Sequence, residues 1–162
     1  AITLLGDVAH LGGPCYQSVW QTILFAEPEN AIFHYDKPID LSIAKNGKIT
    51  IRKGRLDASR GRTGLQSILK AKKLLAAQAK KKGVDPLKIL PYWIFAADTI
   101  ACAARKLSVL GPGGKDTPAA RRALKKELRS LMRRFEKLWL ARNRRSEIRI
   151  TLKRYKNAIA SL

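Results

Sequence analysis

The sequence is poor in the residues from which most catalytic centres are built. It holds two histidines, His10 and His34, and two cysteines, Cys15 and Cys102, which stand 87 positions apart. Neither histidine belongs to an H-x-x-x-H or H-E-x-x-H arrangement, so no zinc site is signalled and no metal is expected. There is no C-x-x-C, which argues against a redox dithiol or a zinc knuckle, and two free thiols are the expected state. There is no G-x-x-x-x-G-K-[ST] either. The Gly-rich Leu110–Gly114 contains Pro112 and follows a helical pattern instead of a strand, so it reads as a helix connector and not a phosphate loop. No cofactor is implied. No run of 18 or more apolar residues occurs, so no membrane span is expected. The N-terminal Ala1-Ile2-Thr3-Leu4-Leu5 lacks the length and positive flank of a signal peptide, and without an initiator Met it is compatible with a processed or truncated product.

Acidic residues are the scarcest class relative to their counterpart. Twelve Asp and Glu face 33 Lys and Arg, for a net charge of +21. The imbalance is uneven. Residues 1–50 hold three lysines against five acids, residues 51–114 fourteen basic residues against three acids, and residues 115–162 sixteen against four. Self-repulsion on this scale disfavours a compact state unless counter-charge is near. A polyanion supplies it, because Lys and Arg contacts to phosphate release condensed counterions. The plainer alternative is a solvated cationic surface.

What is present is a normal apolar content, 46% over 162 residues, enough for one domain with a real core and too much for a disordered chain. The expected fold is mainly α with a small β-hairpin, with a helical bundle of about four helices in the C-terminal two-thirds. Residues 1–62 form a mixed N-terminal segment and 63–162 the basic bundle. The hairpin is expected at 39–51: Leu41 and Ile43 alternate before Asn46-Gly47, Ile49 and Ile51 after it, and Asn-Gly suits a type I′ turn. Arg52 to Arg62 is basic and Gly-containing and reads as a loop. From Leu65 the spacing turns helical, with Leu65, Ile68, Leu69 and Leu75 inward and Gly83 as the stop. Asp85-Pro86 resembles a capped helix start. The main apolar helix is expected from Pro91 to about Val109. Thr117-Pro118 opens the longest helix by the same N-cap and proline logic. Leu124, Leu128, Leu131, Phe135 and Leu138 are spaced 4, 3, 4, 3, and so are Ile148, Leu152, Tyr155, Ile159 and Leu162. Two such stripes joined by a short basic link predict an antiparallel helix pair.

Three groups of basic residues are candidates for nucleic-acid contact. Arg52, Lys53, Arg55, Arg60 and Arg62 form the first. Arg121, Arg122, Lys125, Lys126, Arg129, Arg133, Arg134 and Lys137 are expected on the outer face of the long helix. Arg142, Arg144 and Arg145 sit at the link. Arg forks suit phosphate oxygens and give affinity without sequence choice. Asp98, in the most apolar helix, needs a cationic partner, and Arg105 on the same helix is the nearest in sequence. Glu27 and Glu29 share a turn and read as surface charge.

The run Phe135-Glu136-Lys137-Leu138-Trp139-Leu140-Ala141-Arg142-Asn143-Arg144-Arg145-Ser146-Glu147-Ile148 resembles the closing helices of bacterial proteins related to the family-20 glycoside hydrolases, the β-N-acetylhexosaminidases. In those proteins an LWLARNR segment follows a helix similar to Arg121–Leu131. Trp93–Leu107 fits the helix that precedes it, and Gly6-Asp7-Val8-Ala9-His10 is similar to a segment near the end of the catalytic barrel. Asp7 and His10, in a loop after a short strand, are candidates for a residual active-site rim, the plainer alternative being an Asp that caps the next segment and a surface His. The resemblance departs at the chemistry: the family's adjacent Asp-Glu pair has no counterpart, and most of a barrel of about 250 residues is missing.

Two expectations follow. The resemblance implies a non-catalytic C-terminal helical portion of a β-N-acetylhexosaminidase-like protein, whose partner would be the missing barrel. The charge implies an RNA-binding protein, ribosome- or mitoribosome-associated, that contacts phosphate through its helices. The chain alone is not expected to be an enzyme. It should be soluble, and cytoplasmic or in the mitochondrial matrix if RNA is its partner.

Overall fold

The computed structural model describes Leu24, the strand residues 40–43 and 49–52, and residues 57–80, 89–141, 143, 145 and 148–162. Its architecture is mainly α. Strands β1 (Asp40–Ile43) and β2 (Ile49–Arg52) precede helices α1 (Ala58–Ala79), α2 (Leu90–Leu110), α3 (Pro118–Leu140) and α4 (Ile148–Ala160). The strands pair antiparallel, with Leu41 opposite Ile51 and Ile43 opposite Ile49. A two-residue turn at Asn46-Gly47 would instead pair Ile43 with Thr50. The observed register is one residue short of that, and it puts Leu41, Ile43, Ile49 and Ile51 at positions of one face of the ribbon, which an apolar pattern of period two favours. Residues 44–48, Gly83 and Asp85-Pro86 lie outside the described residues.

The basic segment does not remain a loop as far as Arg62. Asp57 is an N-cap whose side chain accepts from the Arg60 amide at 2.9 Å, so α1 begins at Ala58 and carries Arg60 and Arg62 on its first turns. The bundle therefore starts a few residues before position 63. Its buried face is Ala58, Gly61, Ile68, Ala71 and Leu75, whereas Leu69, expected inward, is 40% exposed. Ala71 is instead fully buried on this face.

Helix α2 is the hub. It packs most extensively on α1 and also on α3, while α3 in turn packs on α4. It is buried almost all round from Ala97 to Leu107, which explains its lack of a polar face. Pro91 sits in its first turn, after the N-cap residue Ile89, whose side chain makes no capping hydrogen bond. The α1–α2 approach is close because Gly61 has no Cβ. A Cβ built there would lie 2.4 Å from the Ser108 amide nitrogen and 2.7 Å from the Ala104 carbonyl oxygen. Gly61→Ala gains about 1 kcal/mol in helix propensity. The collision with backbone should outweigh it, for a net loss of about 1–3 kcal/mol in urea denaturation. An unchanged midpoint would contradict the close crossing.

The α2–α3 connector is docked, not free. The Pro112 carbonyl accepts from the Ala58 amide at 3.0 Å, so one of the first amides of α1 is satisfied by this loop. Gly113 adopts φ of 72°, a left-handed value that favours glycine. Thr117 then caps α3 by accepting from the Ala120 amide at 3.1 Å, and Pro118 follows it.

The core of α3 is Leu124, Leu128 and Leu131, and that of α4 is Ile148, Tyr155 and Ala158. Phe135 joins three helices: its ring centroid lies 6.2 Å from that of Phe95 on α2 and 6.0 Å from that of Tyr155 on α4. Among the described residues no helix is long and apolar enough to cross a membrane.

Candidate nucleic-acid interface

The faces of α3 follow from 100° per residue. With Leu124, Leu128 and Leu131 inward, positions 127 and 134 fall on one flank and 121 and 132 on the other. Positions 122, 126, 129 and 133 fall on the far side. The structure uses each zone differently. On the first flank Glu127 pairs with Arg105 of α2, and Arg134 donates to Asp98 of α2 at 2.6 Å while its guanidinium lies 5.6 Å from the Phe95 ring centre. Lys72 of α1 holds the other Asp98 oxygen. Asp98 therefore takes its cations from the two helices that pack on α2, not from Arg105, and ties three helices at one carboxylate.

On the opposite flank Arg121 makes a two-pronged contact to Asp116, at 2.8 and 2.5 Å, and also donates to the Leu162 carbonyl at 3.5 Å. The hydrogen bonds from Arg121 hold the Asp116 carboxyl below its ordinary range. Arg121 and Arg134 are thus committed to the fold. Both are half-buried and lie on the flanks of α3, whereas the sequence expectation grouped them with the outer face.

The far side retains that expectation. Arg122, Lys126, Arg129 and Arg133 are exposed, Lys125 is half-buried, and Lys137 is exposed near the end of the helix. On α4, Arg149, Lys153 and Lys156 are exposed at spacings of 4 and 3, which makes a second cationic row. This row is legible in the sequence from its spacing, but it lies outside the three basic groups above. Among the described residues none of Arg122, Lys126, Arg129, Arg133, Arg149, Lys153 or Lys156 is ion-paired.

Between the two rows lies an open groove of about 330 Å³. It is lined by the apolar Met132, Ile159 and Ala160 and by Arg129, Arg133 and Lys156. Met132 and Ile159 are partly buried against the core, so their place in the groove is fixed by the same packing that joins α3 to α4.

The other candidates are dispersed. Arg52 ends β2, Arg60 and Arg62 lie exposed on α1, and Arg145 is exposed in the link between α3 and α4. Lys53, Arg55, Arg142, Arg144, Asp7, His10, Glu27 and Glu29 lie outside the described residues. Cys102 is free and fully buried, and burial, then the Glu127 charge, push its thiol well up, so it is no nucleophile at neutral pH. No cluster of His, Cys, Asp or Glu among the described residues could hold a metal ion.

No protein-family model, no curated protein and no solved structure matches the chain.

Proposed function

We propose that this chain binds RNA through the phosphate backbone, with the outer rows of α3 and α4 as its main contact surface. One observation carries the reading: two rows of exposed cations, none ion-paired among the described residues, face outward from adjacent helices, while Arg105, Arg121, Arg134 and Lys72 are paired with Glu127, Asp116 and Asp98. Unpaired Arg and Lys rows repel each other, and a polyanion relieves that repulsion. Contacts of this kind are read by charge and shape, so little sequence preference is expected.

The test is binding of the full chain to a structured RNA across a salt series. If about six phosphates are neutralised, affinity should fall roughly a thousandfold between ~50 and ~200 mM salt. Replacing Arg122 and Lys126 by Ala should weaken binding to all sequences alike and lower the salt slope by about 2. Absence of binding at low salt would overturn the proposal.

The second reading keeps the chain as a non-catalytic helical portion of a β-N-acetylhexosaminidase-like protein. In its support, residues 121–131 and 135–140, which carry the resemblance, belong to one continuous helix, and a further helix starts at Ile148. It leaves the cationic rows unexplained. It differs in its consequences: no salt-dependent RNA binding, and a barrel-coding sequence directly upstream in the gene. Both readings expect no turnover of a chromogenic N-acetylglucosaminide by this chain.

A further inference from the structure

We infer that the groove between α3 and α4 takes one unstacked nucleobase, so that the protein prefers unpaired RNA to a duplex. The inference rests on the RNA reading above and adds the form of RNA that is recognised. A surface that bound phosphate alone would need only cations. This one sets apolar residues, Met132, Ile159 and Ala160, in the same groove as Arg129 and Arg133 of α3 and Lys156 of α4. The occupant must therefore bring a flat or compact apolar part together with negative charge on more than one side. A nucleotide within a strand does so, because its base is flanked by two phosphates. Guanidinium planes at Arg129 and Arg133 can also cover a base face, as Arg does in single-strand recognition.

Size separates this occupant from others. The lining residues span positions 129–133 on α3 and 156–160 on α4. Four residue steps at ~1.5 Å give a groove about 6 Å long. That is one helical turn. An acidic amphipathic helix docks through anchors spread over about two turns or more, and an acyl chain needs a longer apolar track. A volume of about 330 Å³ is at the small end of the range for ligand sites and matches a single compact group. In a duplex each base is stacked and paired, so it cannot enter the groove without being extruded at the expense of stacking.

The experiment compares two single strands of equal length and charge, one with bases and one with abasic sugars throughout, bound to the full chain at fixed salt. The base-bearing strand should bind roughly 5- to 100-fold more tightly, the contribution of about one held base. Ala160→Leu places a larger apolar group in the groove from an exposed position on α4 and replaces no cation. In that variant the base-bearing strand should fall towards the affinity of the abasic strand, while abasic and duplex affinities and the salt slope stay unchanged. Equal binding of the two strands to the native chain overturns the inference and leaves phosphate binding standing. A matched poly-glutamate that loses affinity on Ala160→Leu would mark the groove as a peptide site, which also overturns it. No binding of any strand at low salt removes the RNA reading itself.

Discussion

Replacing Lys106 by Ala should lower the stability of the folded chain by about 3–5 kcal/mol, among the largest effects of any single substitution. Lys106 is fully buried in the middle of α2 and is among the largest side chains that are. Its Nζ donates to the Leu24 carbonyl at 2.9 Å, a contact that spans 82 positions and ties an N-terminal helical residue to the hub of the bundle. Leu24 is itself fully buried. Alanine would leave a cavity where four methylenes had packed, and a carbonyl shut away from water without its donor. Lys106→Met separates the two losses. It refills most of the volume but offers no N–H, so a loss of about 1–3 kcal/mol is expected for the orphaned carbonyl. Urea denaturation of the three proteins measures both. If Met and Ala cost the same, packing contributes nothing at this site. If Met costs nothing, the hydrogen bond is not what holds Leu24.

Tyr155→Ala should cost a comparable amount, about 3–5 kcal/mol, because a ring that is only 2% exposed and stacked near Phe135 is removed. The same residue gives the fold a dependence on alkaline pH. Burial pushes the Tyr155 phenol up to about 12, against the opposing effect of its hydrogen bond with Thr99. The unfolded phenol ionises near 10. Below that value both states hold the proton and the contribution is complete. Between about 10 and 12 the unfolded chain releases its proton and the folded one retains it, so stability falls by up to about 2–3 kcal/mol as pH rises through the folded value. Cys102 acts in the same direction from its ordinary value of 9.0 upward, since burial and the Glu127 charge both disfavour its thiolate. Urea midpoints followed from about pH 8 to about pH 11 should therefore decline from near 9 and steepen above 10. Tyr155→Phe should flatten the steeper part alone. An unchanged slope in that variant would show that another group titrates there.

The helices of the C-terminal half could be read directly from local chemistry. Thr117-Pro118 is a cap and a first-turn proline, and the leucines at 124, 128 and 131 share one face at any helical spacing. Both facts need only near neighbours in the chain. The start of α1 could not be read in that way. Gly61 argues for a loop by propensity, but it lies within the helix, where Ala104 and Ser108 of α2 come too close for a side chain. Leu69 fits the stripe as a leucine beside Ile68, but it is the smaller Ala71 that is buried.

The same division runs through the candidate interface. The sequence by itself determined that the chain is helical, that its charge lies after residue 50, and that Arg122, Lys126, Arg129 and Arg133 share one face of α3. The tertiary structure decided which cations remain available, since Arg121, Arg134, Arg105 and Lys72 are taken up by acids that lie elsewhere in the chain. It also decided that a second row, on α4, lies across an apolar groove from the first. Helical periodicity fixes what one helix presents on each face, whereas pairing and grooves depend on which helices become neighbours, and that is set by the packing of the whole core.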